Sequence, residues 1–202
     1  KGECAVSHLL DQKKEAKQKN LLDAAYALFL EKGTGKTSIS DIVEKANVAK
    51  GTFYLYFRDK EDILQSLMYR ISYRVLAEAY THVEKNRSED FATNVLVLVD
   101  YIIEYFKRDI LVLRLMERNF SWPMVENRLA KCDDPLFERM MRDVRESPVM
   151  KNRTEDEVFK LIFIIIEMCG STCYSSIVLG RPDKIDNMKP VLYSIIRKSL
   201  ES

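Results

Sequence analysis

Residues 31–38 read EKGTGKTS. A Gly-Lys-Thr/Ser run is the heart of a phosphate-cradling loop, in which backbone N–H groups wrap an anion, a lysine neutralises it and a hydroxyl holds magnesium. Such a loop at residues 33–37 would make the chain a nucleotide-using enzyme. The motif also requires a glycine five positions before that Gly, where Leu30 stands, and a buried strand leading into the loop. Instead Leu21, Leu22, Ala25, Leu28 and Phe29 repeat at helical spacing, so the glycines serve to turn the chain after a helix of about four to five turns. Other chemistry is equally thin. No nucleophile–base pair stands out, the histidines are His8 and His82, and Cys169 and Cys173 sit one helical turn apart without the usual zinc spacing. Neither catalysis, a cofactor nor a metal is expected.

The elements around this stretch point elsewhere. Thr37 or Ser38 is placed to cap a short helix whose apolar face is Ile39, Ile42, Val43 and Ala46. Asn47, which tolerates a left-handed backbone, marks a tight stop, and a second short helix can start near Ala49. Two short helices joined by a tight turn have the spacing of a helix-turn-helix, whose second helix lies in the DNA major groove. In that second helix Lys50, Gly51, Thr52, Tyr54 and Tyr56 present donors and open backbone, while Phe53 and Phe57, four apart, anchor the other side. Gly51 has two readings, close approach to a phosphate or close packing on the preceding helix.

The run TSISDIVEKANVAKGTFYLYFRDKEDIL resembles the DNA-binding segment of the tetracycline-repressor family of bacterial regulators. The resemblance rests on Leu28-Phe29, Gly33, Thr37-Ser38, Ile42-Val43, Ala46-Asn47-Val48, residues 51–54, Tyr56-Phe57, Lys60-Glu61 and Leu64. Asn47 stands where the family usually has Gly and Val43 where it has Ala. What the resemblance implies is an all-α chain: a three-helix helix-turn-helix domain over residues 1–64, with residues 1–18 as a basic extension, and a helical effector-binding and dimerisation domain over 65–202. It also implies that Thr37, Ser38, Ser40, Lys50, Gly51, Thr52, Tyr54, Tyr56 and Lys60 face a double-stranded DNA operator. Lys50 and Thr52 are then the residues to reach base edges, and Tyr54, Tyr56 and Lys60 those to hold phosphates. The family pattern is a dimeric repressor on a palindromic operator, released by an effector.

Further helices are expected at 91–108, 110–119, 124–146, 155–179 and 186–201. In the fourth of these, Phe159, Phe163, Ile166, Gly170, Cys173 and Ile177 form one seam, and Val158, Ile162, Ile165, Cys169, Thr172 and Ser176 another. A helix with two apolar seams must be covered twice, once by its own domain and once by a second copy. Leu192 and Ile195 on the last helix complete a four-helix homodimer interface. Between these parts Tyr101, Tyr105, Met116, Phe120, Trp122 and Met140 suit an apolar small-molecule cavity, with Glu167 as a candidate counter-charge.

Composition agrees with a globular helical protein: 202 residues, 47% hydrophobic and 31% charged, with net charge +1 and the basic excess in the first 60 residues. The run KKEAKQK at 13–19 reads as either a mobile arm near an anion or the solvated start of a helix. The longest unbroken apolar runs, 24–30 and 161–166, fall short of the roughly 20 residues of a membrane span, and no signal segment opens the chain; a cytoplasmic protein with no membrane role is expected. A helical protein-interaction module without DNA is the rival reading from another class.

Overall fold

The computed structural model describes residues 2–121, 125 and 134–201, and among these there are helices and no strand. The chain divides into two compact units, Lys1–Arg70 and Ile71–Ser202.

The first unit holds α1 (Gly2–Lys32), α2 (Ile39–Lys45), α3 (Lys50–Tyr54) and the start of α4 (Lys60–Lys85). Its core is made by Leu21, Ala25, Leu28 and Phe29 of α1, Ile42 and Val43 of α2, Phe53 and Phe57 at α3, and Ile63, Leu67 and Met68 of α4. Each large side chain buried there contributes about 1.5–3 kcal/mol relative to exposure. Helix α1 is longer than expected. Residues 2–18 continue it, so the run at 13–19 follows the helical of its two readings, because after Gly2 no Gly or Pro occurs before Gly33 and Lys, Gln, Leu and Ala all favour helix. Gly33 ends it at φ +81°, its N–H reaching back to the Phe29 carbonyl at 3.1 Å.

The second unit comprises the rest of α4 with α5 (Phe91–Arg108), α6 (Ile110–Asn119), α7 (Pro135–Glu146), a 3₁₀ turn (Pro148–Met150), α8 (Glu155–Cys173) and α9 (Ile185–Glu201). Aspartates cap three of the helices: Asp90, Asp109 and Asp134 accept from the first free N–H groups of α5, α6 and α7. Thr154 and Glu157 form a reciprocal capping box on α8. The helix expected to run to 179 changes geometry after Cys173. Residues Tyr174–Val178 adopt a wider π turn, with the Arg181 N–H reaching back to the Ser175 carbonyl at 3.0 Å once Gly180 takes φ +67°. Of the helix expected at 124–146, Pro135–Glu146 lies within the described residues as α7.

Helices α5 and α9 are joined by a polar strap. Lys189 donates to Asp100 at 2.6 Å and to Glu104 at 2.5 Å, and Lys107 bridges Glu104 and Asp186 at 2.9 and 2.7 Å. Burial pushes the Asp100 carboxyl up, but hydrogen bonds from Lys189 and Tyr193 outweigh it and hold the group below its ordinary value. Among the described residues, Glu155–Val178 is the one helix long and apolar enough to cross a membrane, at 24 residues and mean hydropathy 1.8. The run-length reading missed it because Lys160 and Glu167 interrupt the apolar sequence without lowering its average much. Only 17% of that apolar window is buried.

Candidate nucleic-acid interface

The glycine-rich stretch turns its carbonyls, not its N–H groups, toward a cation. The Lys60 ammonium donates to the carbonyls of Thr34 at 2.9 Å and Thr37 at 3.0 Å. A phosphate cradle needs the opposite polarity. Thr37 is also turned inward, contrary to the expectation that it faces DNA: it is 2% exposed, and its hydroxyl donates to the Gly33 carbonyl at 2.8 Å. A hydroxyl beside the C-terminus of a helix meets carbonyls that lack an intrahelical donor, which draws it in.

Ser38, not Thr37, is the cap of α2. Its Oγ accepts from the Asp41 N–H at 3.1 Å, and the Asp41 carboxylate accepts from the Ser38 N–H at 2.8 Å. Lys32 adds an ion pair to Asp41 at 2.8 Å. The hydrogen bond from Lys32, then those from Ser38, hold the Asp41 carboxyl down at about 2. Asn47 takes φ +52°, as its place in the turn requires, and the Val48 N–H returns to the Val43 carbonyl at 3.0 Å.

Beyond the turn, α3 shows two faces. Phe53 is fully buried and Phe57 nearly so, with ring centroids 5.7 Å apart. On the other face Lys50 and Gly51 are exposed, Thr52 and Tyr56 are half-buried, and Tyr54 is 53% exposed with its ring edge-on to Phe53 at 5.4 Å. Ser38 and Ser40 are exposed too. A Cβ added at Gly51 would meet nothing within 4 Å, so close packing does not account for this glycine. Leu55, 79% exposed, belongs to the same edge. Sequence reasoning passed over it because an apolar type reads as core; its position between the anchors Phe53 and Phe57 was the available signal. Helix α4 then opens on reciprocal caps, the Asp62 N–H donating to Asp59 and the Arg58 N–H to Asp62, both at 2.9 Å.

In the second unit an open cavity of about 560 Å³ is lined by His82, Thr93, Leu96, Val97, Asp100, Tyr101, Glu104, Arg108 and Tyr193. Of the residues expected to contact an effector, Tyr101 is in this lining. Its ring lies 5.3 Å from His82, and its hydroxyl donates to Glu78 at 3.3 Å. The other described residues of that set do not line it. Tyr105 accepts from Arg74 at 2.8 Å, Met116 is buried, Phe120 and Met140 are half-buried, Glu167 is exposed, and Trp122 lies outside the described residues.

The expected dimer seam is divided by the structure. Cys173 (1% exposed) and Leu192 (4%) are packed inside their own unit, contrary to the expectation that they face a second copy. Phe159, Gly170 and Ile195 are exposed, and Phe163, Ile166 and Ile177 half-buried. Ile164 and Val191, which the seam did not include, are more exposed than any of these apolar side chains. Cys173 turns inward because it shares a helix face with Val158, Ile165 and Ser176, the second seam. Burial pushes the thiols of Cys169 and Cys173 up to about 12. Among the described residues no group of three His, Cys, Asp or Glu side chains is placed to hold a metal.

Comparison with known proteins places these features. Residues 21–67 match the family of bacterial regulatory proteins described as the tetR family. The chain is 37% identical over 99 residues to the HTH-type transcriptional regulator YvdT of Bacillus subtilis, covering 48% of this chain and 50% of that one. It is 45% identical over 56 residues to the fatty acid metabolism regulator protein of the same organism, covering 28% of this chain and 29% of the relative. The match thus spans half or less of the length of these relatives. Among solved structures, a TetR-family regulator from Syntrophomonas wolfei superposes with a TM-score of 0.64 at 23% identity, covering 93% of this chain and 96% of its own. FadR of Bacillus subtilis, solved in complex with stearoyl-CoA, gives a TM-score of 0.63 at 17% identity, covering 90% of this chain and 98% of its own. At these identities the structures speak to the fold. Residues 21–67 thus carry a helix-turn-helix similar to that of the tetR family of bacterial regulatory proteins, on an all-helical fold shared along most of the chain with solved TetR-family structures.

Proposed function

We propose that this chain is a ligand-responsive transcriptional repressor that reads a palindromic operator as a homodimer. The carrying observation is the bare edge of α3: Lys50, Gly51, Thr52, Tyr54 and Tyr56 lie open or half-open over the buried pair Phe53 and Phe57. Lys50 and Thr52 reach base edges, Tyr54, Tyr56, Ser38 and Ser40 hold phosphates and sugars, and the open space above Gly51 admits a phosphate to the backbone. Leu55 suits a thymine methyl. One short helix offers little area, so two copies act together, with half-sites about 34–36 Å apart or a multiple of this.

The second copy docks on α8 and α9, where Phe159, Ile164, Val191 and Ile195 leave apolar surface uncovered. The apolar length of α8 is then covered by protein, and the repressor works in the cytoplasm. The effector occupies the cavity beside Tyr101, whose floor of Leu96 and Val97 suits a largely apolar molecule. The stearoyl-CoA bound by the Bacillus subtilis FadR supports that class. Release requires an effector that binds one arrangement of the two reading heads better than the other. A gel shift on the DNA upstream of the coding region tests the reading: Lys50→Ala should weaken binding and relax specificity at one base position, at about 1–3 kcal/mol. Wild-type binding by that variant counts against the assignment.

A further inference from the structure

Lys60 stands in the first turn of α4, where a cation opposes the helix dipole. Its ammonium is not free in solvent. It lies part-buried, donating to the carbonyls of Thr34 and Thr37 at 2.9 and 3.0 Å across 26 and 23 residues of chain, which uses two of its three donors. Those carbonyls belong to the turn that sets α2. The same turn is tied by the Thr37 hydroxyl to Gly33, by the Ser38–Asp41 box and by the Lys32–Asp41 pair. Carbonyls just past the end of a helix carry partial negative charge, so a cation supplied by α4 satisfies the turn while the turn offsets the unfavourable dipole.

We propose that Lys60 is a positioning residue that clamps the α1–α2 turn, and with it the α2–α3 pair, onto the start of α4, and that it is not a phosphate ligand. The proposal rests on the reading of α3 as the DNA-contacting helix only for its consequence in binding; the clamp itself is a property of the free protein. Ordinary phosphate lysines sit on long exposed stems, whereas this one is folded back upon backbone oxygens.

The test uses the full chain and a mixed-sequence DNA duplex. In Lys60→Met, which keeps the stem and removes the donors, amide hydrogens of residues 38–42 should exchange roughly tenfold faster than in the wild type. Lys60→Arg, with several donors, should restore most of the protection. Duplex affinity should fall in Lys60→Met while the slope of log K against log salt stays at its wild-type value. Unchanged exchange together with a slope shallower by about 0.9 would overturn the clamp and make Lys60 a phosphate ligand. If Lys60→Met does not fold, Lys60→Gln, which retains an amide donor, should show intermediate exchange; wild-type exchange there overturns the clamp equally. If the wild-type protein binds no duplex at all, the DNA reading fails, and the exchange comparison still decides the clamp.

Discussion

Gly51 sets stability against function at a single residue. Glycine within a helix costs up to about 1 kcal/mol relative to alanine, and a Cβ there meets no neighbour. Gly51→Ala is therefore expected to raise the melting temperature of the free protein and to weaken duplex binding; a variant that loses stability would show a packing role instead. Asp41 sets the acid response of the same unit. Its carboxyl, bonded to Lys32 and Ser38, is held at about 2 against the ordinary 3.8, so its stabilising contribution is complete above the ordinary value and is lost as pH falls through about 2. Asp41→Asn should flatten the fall in melting temperature across that window, as followed by circular dichroism. The exposed residues of α3 were legible in the sequence, because polar types flanking Phe53 and Phe57 can face only outward. Thr37 and Lys60 were not, since their partners are backbone carbonyls whose positions depend on the turn, and for Lys60 on chain more than 20 residues away.

At the scale of elements, periodicity located α5 and α6 to the residue, because Asp90 starts α5, Asp109 ends it and starts α6, and no competing breaker lies inside. It placed the start of α1 too late, since a polar helical stretch carries no apolar repeat to count. The seam on α8 was half legible. A stepping pattern of 4 and 3 identifies apolar faces without saying which of two faces the domain itself will cover, and the structure covers the one with Val158, Ile165 and Cys173. Ile195→Glu, at a position 49% exposed on α9, should leave the fold intact and shift the mass measured by light scattering from dimer to monomer. An unchanged mass would place the contact between copies elsewhere. Ser38→Ala removes the cap of α2 and should cost about 1 kcal/mol in denaturant unfolding.

For the whole molecule, the two units carry different features: a small one whose core presents a bare helix edge, and a larger one with an open cavity and uncovered apolar helices. The fold class was legible because no stretch alternates with period two. The cavity was not, because aromatic and methionine side chains at helical spacing fill cores as readily as they line pockets, and only packing separates Tyr101 from Met116. In the proposed function operator recognition would draw on both units, since two reading heads would have to be held at a fixed spacing. Footprinting on the DNA upstream of the coding region, with wild-type protein beside Lys50→Ala, addresses this most directly. Two protected half-sites related by a two-fold axis, lost in the variant, are the expected result. No protection by folded wild-type protein at low salt, there or on a library of random duplexes, would contradict the assignment of residues 50–56 to DNA.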